Sequence, residues 1–392
     1  MNIPAAGCSK QSLIHLGAKL TVLAITFSCL AVHAQQTFLA LSEKSGLTAI
    51  NNSGQAVGWR AESNGTRSII SFNGTTQVVA TSDDSYFSQD GAIDINDQGG
   101  VLYYAYPQYY YKPAAGAAVT VGALGEGSTT PVAVNSSSLV AGNYYLHEPG
   151  RTWQYGYTIS TAQCPPTGEY GNTNVQQLPN WKVYNPSAGF DPDMVYIRPG
   201  YSYANGINDS GTVAGFCSYW PSETDNRYQK VAAYWTGTTL HKMGTLGYST
   251  SEATAINNNG DIAGVLYNAA APFDQNYGID GSIAHAFLYS GQTMLELTNF
   301  NEKPLAINDL GVILSATSFY DDGVVTQIQT LLPAGWTLGA ASDINNSNQV
   351  VGYATGPDGL QHGFILQVPE PTTLCLMSLG GAAMMRRRNG KH

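Results

Sequence analysis

The sequence predicts an all-β protein, and within that class a β-propeller of seven four-stranded blades. Three observations support this. One turn motif occurs seven times, at intervals that are mostly about 40 to 50 residues. Apolar and polar side chains alternate on both sides of that turn, as in antiparallel strands. Gly, Asn, Ser, Thr and Tyr are abundant, whereas charged residues make up only 11% of the chain. Four short strands per repeat of this length are typical of a propeller blade.

The turn motif is centred on an asparagine that is present in every copy. Ile or Val precedes it, and three residues after it stands Gly in five copies, Ser in one and Asn in one. An Asn side chain can hydrogen-bond the backbone of a tight turn, and a residue that tolerates positive φ is needed where the chain reverses. The predicted turn formers are Asn51, Asn96, Asn135, Asn208, Asn257, Asn308 and Asn345.

Two further positions repeat after each asparagine. Five residues on, the chain has Ala56, Val101, Val140, Val213, Ile262, Ile313 and Val350. Seven residues on, it has Gly58, Tyr103, Gly142, Gly215, Gly264, Ser315 and Gly352. We interpret the first set as the core side of a second strand, and the small residues of the second set as places where another sheet approaches closely.

The repeat spacing predicts one insertion. Successive asparagines are 45, 39, 73, 49, 51 and 37 residues apart. The long interval follows Asn135, so we place extra chain at about residues 146–180, around Cys164-Pro165-Pro166. Two smaller β domains or an open β array are the alternative architecture, which the regular turns make less attractive.

The two ends of the repeat region predict ring closure. Residues 36–41 align with residues 292–297, the fourth strand of a unit, and the chain ends on a third strand at residues 362–366. The N-terminal strand is therefore expected to complete the last blade, with Phe38–Leu41 beside Gly363–Leu366. That pairing would remove both open sheet edges.

The N-terminus predicts export. Lys10 and Lys19 precede an apolar run at residues 20–32, and Val32-His33-Ala34 fits a signal peptidase site. The run of thirteen residues is shorter than the ~20 that a membrane-spanning helix needs. A lipoprotein signal through Cys29 is disfavoured because Thr26-Phe27-Ser28 lacks the residues that precede a lipidated cysteine. Residues 1–34 are thus expected to be removed.

The C-terminus, residues 368–392, resembles the PEP-CTERM sorting signal of Gram-negative bacteria. It has Pro369, Glu370 and Pro371, then an apolar stretch at residues 372–385, then Arg386, Arg387 and Arg388. The resemblance implies transient anchoring in the inner membrane, cleavage by an exosortase, and delivery to the cell surface or extracellular matrix. An ordinary C-terminal anchor is the alternative, although fourteen apolar residues are few for a span.

The repeat region, residues 35–367, resembles the HAF family of extracellular repeats. The resemblance rests on the Ile-Asn turn followed by segments such as His285-Ala286-Phe287. It implies extracellular placement and no established activity.

The charge of the repeat region excludes some partners. Six of the chain's 17 basic residues and one of its 27 acidic residues lie in the terminal segments, which leaves 11 against 26 and a net charge near −15. Nucleic acids and anionic lipids require a basic surface. Neither is expected to be a partner.

Two cysteines, Cys164 and Cys217, fall within the repeat region. A disulfide between them is predicted, because both belong to the expanded unit and an exported protein meets an oxidising compartment. Two unpaired buried cysteines are the alternative that sequence spacing leaves open.

No catalytic, cofactor-binding or metal-binding residue is predicted. The region has four histidines, His147, His241, His285 and His362, without metal-ligand spacing. Because His285 and His362 share a repeat position, we assign them to strand packing. Asp94-Ile95-Asn96-Asp97 resembles the start of a calcium loop but lacks the later ligands. That segment, Asp191-Pro192-Asp193 and Asp321-Asp322 are expected to lie in solvated turns.

Aromatic clusters are the remaining functional signal. Tyrosines and Trp153 crowd residues 103–111, 144–157 and 196–203. Exposed aromatic rings can stack on sugars or contact proteins, although tyrosines in strands also serve sheet packing. The sequence thus predicts a non-enzymatic surface protein that binds exopolysaccharide or an envelope protein. The alternative is an enzyme acting on envelope glycans, with carboxylates converging on the channel. Ice binding is disfavoured because the Thr residues do not follow the repeat.

Overall fold

A computed structural model describes residues 37–81, 90–121, 128–148, 151–164, 176–179, 182–183, 198–199, 201–219, 229–268 and 283–368. The predicted signal peptide, the sorting signal and the Asp191-Pro192-Asp193 segment lie outside these residues. The described chain belongs to one compact unit, Phe38–Val368. Its regular elements are strands and two short 3₁₀ turns, Thr161–Gln163 and Ile328–Leu331.

The strands of the first half are β1 (Phe38–Ile50), β2 (Ala56–Ala61), β3 (Arg67–Phe72), β4 (Thr76–Thr81), β5 (Gly91–Ile95), β6 (Val101–Ala105), β7 (Gln108–Lys112), β8 (Val119–Thr120), β9 (Ser128–Val134), β10 (Leu139–Glu148), β11 (Arg151–Ser160), β12 (Gln176–Gln177), β13 (Lys182–Val183) and β14 (Arg198–Pro199). Those of the second half are β15 (Ser202–Ile207), β16 (Thr212–Tyr219), β17 (Gln229–Thr236), β18 (Thr239–Gly244), β19 (Thr250–Ile256), β20 (Ile262–Tyr267), β21 (Ile283–Ser290), β22 (Thr293–Leu297), β23 (Ala306–Ile307), β24 (Ile313–Leu314), β25 (Ser318–Asp321), β26 (Val324–Gln327), β27 (Thr337–Ile344), β28 (Gln349–Thr355) and β29 (Gln361–Gln367).

The all-β propeller is confirmed, but the prediction of seven four-stranded blades is wrong, because the described residues form five such blades. Five four-stranded sheets stand alone, in the units of Asn96, Asn135, Asn208, Asn257 and Asn308, and a two-stranded sheet joins β13 to β14. The strands of the first and last units form one seven-stranded sheet in the order β27-β28-β29-β1-β2-β3-β4. The fusion arises because β1 is 13 residues long. Its first part pairs with β29 and its second part with β2.

Closure by the N-terminal strand is confirmed. Phe38, Leu39 and Ala40 stand opposite Leu366, Ile365 and Phe364 in an antiparallel ladder. Aromatic packing reinforces this ladder, since the Phe38 ring lies 4.9 Å from that of Trp336 and 5.9 Å from that of Phe364. The two ends of the repeat region are therefore joined by backbone hydrogen bonds and by a shared core.

The hydrophobic core lies between successive sheets. One cluster joins Ala49, Val57 and Ile69 to Ile95 and Val101 of the next unit. All seven apolar residues predicted five positions after the asparagines are buried, with at most 3% of their surface exposed. Each sheet thus buries one face against the sheet before it and the other against the sheet after it.

The repeated glycines have a different role from the predicted one. A Cβ at Gly264 would lie 2.2 Å from the backbone oxygen of Glu252, and one at Gly58 would lie 2.0 Å from that of Gly46. The backbone that approaches is the first strand of the same sheet, not another sheet. In six units this first strand carries a β-bulge, which bends the strand towards its neighbour. The bulge lies beside the glycine in five of these units and beside Tyr103 in the sixth.

The predicted disulfide between Cys164 and Cys217 is not formed. Cys164 packs against the cluster of Leu102 and Tyr157, whereas Cys217 is buried in a different cluster with Trp235. Burial raises the pKa of the Cys217 thiol to about 11, so this thiol stays protonated and unreactive at neutral pH.

The expanded unit is anchored by packing and hydrogen bonds instead. Residues 146–148 and 151–160 of the predicted insertion belong to the regular pairing of β10 with β11. At the other end of the insertion, Leu178 is buried beside Trp235. The indole Nε1 of Trp235 donates to the carbonyl of Pro179 at 3.0 Å, and the hydroxyl of Ser202 donates to that of Leu178 at 3.1 Å.

Ring closure predicts efficient crosslinking between the terminal strands. Cysteines at Leu39→Cys and Ile365→Cys stand opposite each other, so mild oxidation of the folded protein is expected to join them and raise the melting temperature. Removal of residues 35–41 is expected to lower it, because the ladder and the Phe38 contacts are lost. Absence of the crosslink, together with an unchanged melting temperature after trimming, would contradict the closed ring.

Candidate functional site

The seven asparagines form a closed ring of hydrogen bonds at one end of the central channel. Each side-chain Nδ2 donates to the backbone carbonyl of the next unit's asparagine, at 2.9–3.1 Å. The last bond runs from Asn345 to Asn51, across the junction of the chain ends. All seven side chains are buried, with 3–4% of their surface exposed.

The predicted role of these asparagines as turn formers is confirmed. Each Oδ1 accepts from the backbone N–H four residues on, at 2.7–3.0 Å. The residue three positions on has positive φ in all seven turns, including Ser138 and Asn348. Sequence reasoning missed the second role, donation to the next unit, because the motif alone does not show which turns are neighbours.

A second ring lies at the surface and involves the residue after each asparagine. In six of the seven neighbouring pairs among the described residues, the side chain of this residue accepts a hydrogen bond. The donor is the backbone N–H of the equivalent residue in the preceding unit. Asp97, Asp209 and Asp309 belong to this set. Their carboxylates therefore bind backbone amides and tie the turns together, rather than standing as isolated charges.

The described residues line two channel cavities that share part of their wall. The cavity at the turn end has about 170 Å³ and is lined by the asparagines and by the Ile or Val that precedes each of them. The other cavity has about 240 Å³ and is lined by residues of the bulges, among them Asn205 and Thr254. The bulges thus turn polar side chains of the first strands into the channel.

Asp94 and Asp343 lie in the channel wall at the same repeat position, where four other units have Ala. Asp94 accepts from the amides of Ile95 and Val134, at 2.8 and 2.7 Å. Asp343 likewise accepts from Ile344 and from Ile50, at 2.8 and 2.9 Å. Each carboxylate therefore bridges its own unit to the next, so the expectation that Asp94 lies in a solvated turn was wrong.

The environment of these two carboxyl groups favours their neutral forms. Burial raises the pKa of Asp94 to about 6, and the charge of Asp97 contributes further. Burial raises the pKa of Asp343 to about 7, and repulsion from Asp94 adds to the shift. The described residues contain no group of three side chains that could hold a metal ion.

A constellation of aromatic and charged side chains surrounds Glu252, in the units of Asn208, Asn257 and Asn308. The carboxylate of Glu252 accepts from Lys303 Nζ at 3.0 Å and from Asn205 Nδ2 at 3.3 Å. Lys230 Nζ lies 3.8 Å away, and the hydroxyl of Tyr267 donates at 3.4 Å. Only 9% of the Glu252 side chain is exposed. Because Asn205 also lines the channel, the constellation borders the second cavity.

Aromatic rings form one side of this constellation. The rings of Tyr203 and Phe216 are stacked with centroids 5.0 Å apart and planes inclined by 8°. The ammonium of Lys230 lies 4.4 Å from the centre of the Phe216 ring. Burial raises the pKa of Tyr203, and its contact with Tyr145 acts in the same direction. Tyr203 and Phe216 belong to the unit of Asn208, whereas Tyr145 belongs to the preceding unit, that of Asn135. Two neighbouring units therefore contribute to one aromatic surface.

A sequence signal for this site existed and was missed. Five residues before the repeat asparagine stand Tyr203, Glu252 and Lys303 in three successive units, whereas the other four units have Gly46, Gly91, Thr130 and Ala340 there. Large functional side chains at one position of adjacent repeats meet at one place in a propeller. Alignment of the repeats on the asparagine would have revealed them.

Most of the predicted aromatic clusters serve sheet packing. Tyr103 and Tyr104 pair across strands with Tyr110 and Tyr109, and Tyr157 is buried. The side chain of Trp153 and all of Tyr196 lie outside the described residues. Of the predicted set, Tyr203 and Tyr145 contribute to the constellation.

The histidines take structural contacts. His285 stands opposite Leu266 and His362 stands opposite Ala354, each on the preceding strand. Leu266 and Ala354 are equivalent positions of their repeat units. His362 is buried, and its Nδ1 contacts the carbonyl of Leu41 at 2.8 Å, where the ladder between β1 and β29 is interrupted. His241 stacks on Tyr234, and the side chain of His147 lies outside the described residues.

The fold and the asparagine ring define the class of the protein, a β-propeller whose repeat units are linked by side-chain amides. Comparison with family models identifies residues 367–389 as the PEP-CTERM protein-sorting motif. The predicted sorting signal is thereby confirmed. The motif implies an exported protein that an exosortase processes for the cell surface or the extracellular space. Among the described residues, no helix is long and apolar enough to cross a membrane.

Solved propellers resemble this chain at low identity. The β-propeller domain of the Trilobed protease from Pyrococcus furiosus is 8% identical, with 83% of this chain and 97% of that chain covered and a TM-score of 0.49. Virginiamycin B lyase from Staphylococcus aureus is 9% identical, with 86% and 100% covered and a TM-score of 0.42. No curated protein is significantly similar in sequence.

The asparagine ring predicts that the loss of one asparagine side chain strongly destabilises the folded protein. Asn208→Ala removes the acceptor for the Thr212 amide and the donor to Asn257. It is expected to lower the free energy of unfolding by about 2–3 kcal/mol, because buried groups lose their partners. Urea unfolding measures this. The control Asn64→Ala removes a similar turn bond at an exposed site, and a loss as large as that of Asn208→Ala would contradict the account.

The channel carboxylates predict a stability that falls as pH rises. Their pKa values are about 6 and about 7 in the folded protein, against about 4 unfolded. The folded state therefore binds more protons between about pH 4 and pH 7, and its stability decreases across that window. Asp94→Ala with Asp343→Ala, which copies four other units, is expected to flatten the decrease by about 1 kcal/mol or more. The free energy of unfolding is measured with urea from pH 4 to pH 8 for the protein and for the double variant. Parallel pH profiles of the two proteins would contradict this assignment.

Proposed function

We propose that this exported protein is a non-enzymatic binding module that holds a polysaccharide of the cell envelope at the Glu252 constellation. The observation that carries the proposal is the pairing of stacked rings, Tyr203 on Phe216, with a mostly buried Glu252 that accepts three hydrogen bonds. Sugars present apolar ring faces and hydroxyl groups, and a site with aromatic faces beside fixed polar groups suits both.

Glu252 departs from the residue type that other units have at its repeat position, and this departure supports a functional role for the Glu252 constellation. A buried carboxylate with two nearby ammonium groups costs free energy to desolvate, and apolar residues would stabilise the ring as well or better. Three other units have Gly or Ala at the position of Glu252, and a fourth has Thr. Residues that break a structural rule without structural need tend to mark functional sites.

The assignment to an extracellular matrix, to a Gram-negative source and to HAF-type repeats forms part of the same proposal. It is supported by the sorting motif and by the Ile-Asn turn in all seven units. A matrix protein needs a stable scaffold with a ligand face, and the closed ring provides such a scaffold.

A glycan-cleaving enzyme is the second candidate, favoured by the two channel carboxylates with raised pKa values, Asp94 and Asp343. A general acid needs a pKa near the working pH, and the raised pKa values bring these carboxyl groups closer to it. In both residues, however, each carboxylate oxygen accepts a backbone amide. Their contacts hold neighbouring units together, so binding remains the proposed function.

Binding without cleavage is the expected result with purified envelope polysaccharide. Affinity electrophoresis measures binding by the secreted protein, and release of reducing ends measures cleavage. Tyr203→Ala is expected to weaken binding about fivefold, because an aromatic contact contributes about 1 kcal/mol. The control is Tyr353→Ala, which removes an exposed tyrosine from β28 of the last unit. Release of reducing ends, abolished by Asp94→Ala, would instead establish the enzyme.

A further inference from the structure

Among the residues that the structure describes, the Glu252 constellation holds more positive than negative charge. Lys303 forms a hydrogen-bonded ion pair with Glu252 at 3.0 Å, and Lys230 lies 3.8 Å from the other carboxylate oxygen. Two ammonium groups thus share one carboxylate. The surrounding repeat region has a net charge near −15, so this local surplus runs against the charge of the whole domain.

Lys230 is poorly hydrated in this position. Only 21% of its side chain is exposed, and its ammonium lies against the Phe216 ring. Burial lowers the pKa of Lys230, although Glu252 opposes that shift. An ammonium that is withdrawn from water and shares its counter-charge gains from a second anion.

Lys303 provides the accessible donor. Its side chain is 45% exposed, and an ammonium carries three N–H donors. Among the described residues, Glu252 accepts one of them. The other donors can reach a ligand in the solvent next to Glu252.

We propose that the ligand is an acidic polysaccharide, one of whose sugar carboxylates binds Lys303 and Lys230 while its ring packs against Tyr203. This inference rests on the proposed function and names the substrate class of the same site. A carboxylate would pair with the surplus charge, whereas a neutral sugar would leave it unpaired. Specificity would follow from this difference, because a site with charged donors discriminates against ligands that lack the acceptor.

Acidic polymers and their carboxyl-reduced forms provide matched probes. Alginate, polygalacturonate and hyaluronan are each compared with the same polymer after reduction of its uronate carboxylates to primary alcohols. The secreted protein is expected to bind at least one acidic polymer and to bind its reduced form about tenfold more weakly. Affinity for the acidic form should also fall with added salt.

Lysine variants locate the contact. Lys303→Met keeps most of the apolar stem and removes the charge, and it should weaken acidic-polymer binding about tenfold without changing affinity for the reduced form. The control Lys44→Met removes the same charge from an exposed position on β1 and should leave both affinities unchanged. Melting temperatures confirm that the variants are folded.

The outcomes separate this inference from the proposed function. Equal affinity for acidic and reduced polymers, or acidic-polymer binding that Lys303→Met leaves unchanged, would overturn the acidic ligand while leaving polysaccharide binding in place. Absence of binding to these polymers and to purified envelope polysaccharide would overturn both.

Discussion

The side-chain amide of the repeat asparagine is the interaction on which the rest of the structure depends. Its oxygen fixes the turn of its own unit, and its nitrogen binds the backbone of the next. Seven such links return to their starting point through Asn345 and Asn51. A buried amide must satisfy both its donor and its acceptor groups, so each turn requires a neighbour on both sides. Closure of the ring and formation of the turns are therefore one requirement.

The ring leaves the adjoining, bulged part of the channel free to vary. There the first strands bulge, and their side chains enter the channel without taking part in the asparagine network. Tyr203, Glu252 and Lys303 occupy equivalent positions in adjacent units, which is how a single-residue change in each of three repeats can assemble one site. The scaffold holds these residues on strands rather than on loops, and binding groups on rigid elements are positioned more precisely.

Much of the fold could be predicted from the sequence because its rules are local. The turn asparagines, the positive-φ residues after them and the buried residues of the second strand all follow from one motif. Strand pairing at the chain ends also followed, since the two partial units complement each other. The fused sheet, the bulges and the reduced cysteines could not be predicted, because they depend on how strands bend and pack in three dimensions. The Glu252 constellation joins residues about 50 positions apart, and only the order of the units around the ring brings them together.

Hydrogen exchange of the turn amides tests the central claim most directly. The backbone amides of Gln55, Gly100, Leu139, Thr212, Asp261, Val312 and Gln349 each donate to the asparagine of their own turn. If the ring is closed and cooperative, all seven should exchange with one common free energy of opening, close to that of global unfolding. Faster exchange of Gln55 and Gln349 than of the other five would show that the ring opens where the chain ends meet, and would contradict the account.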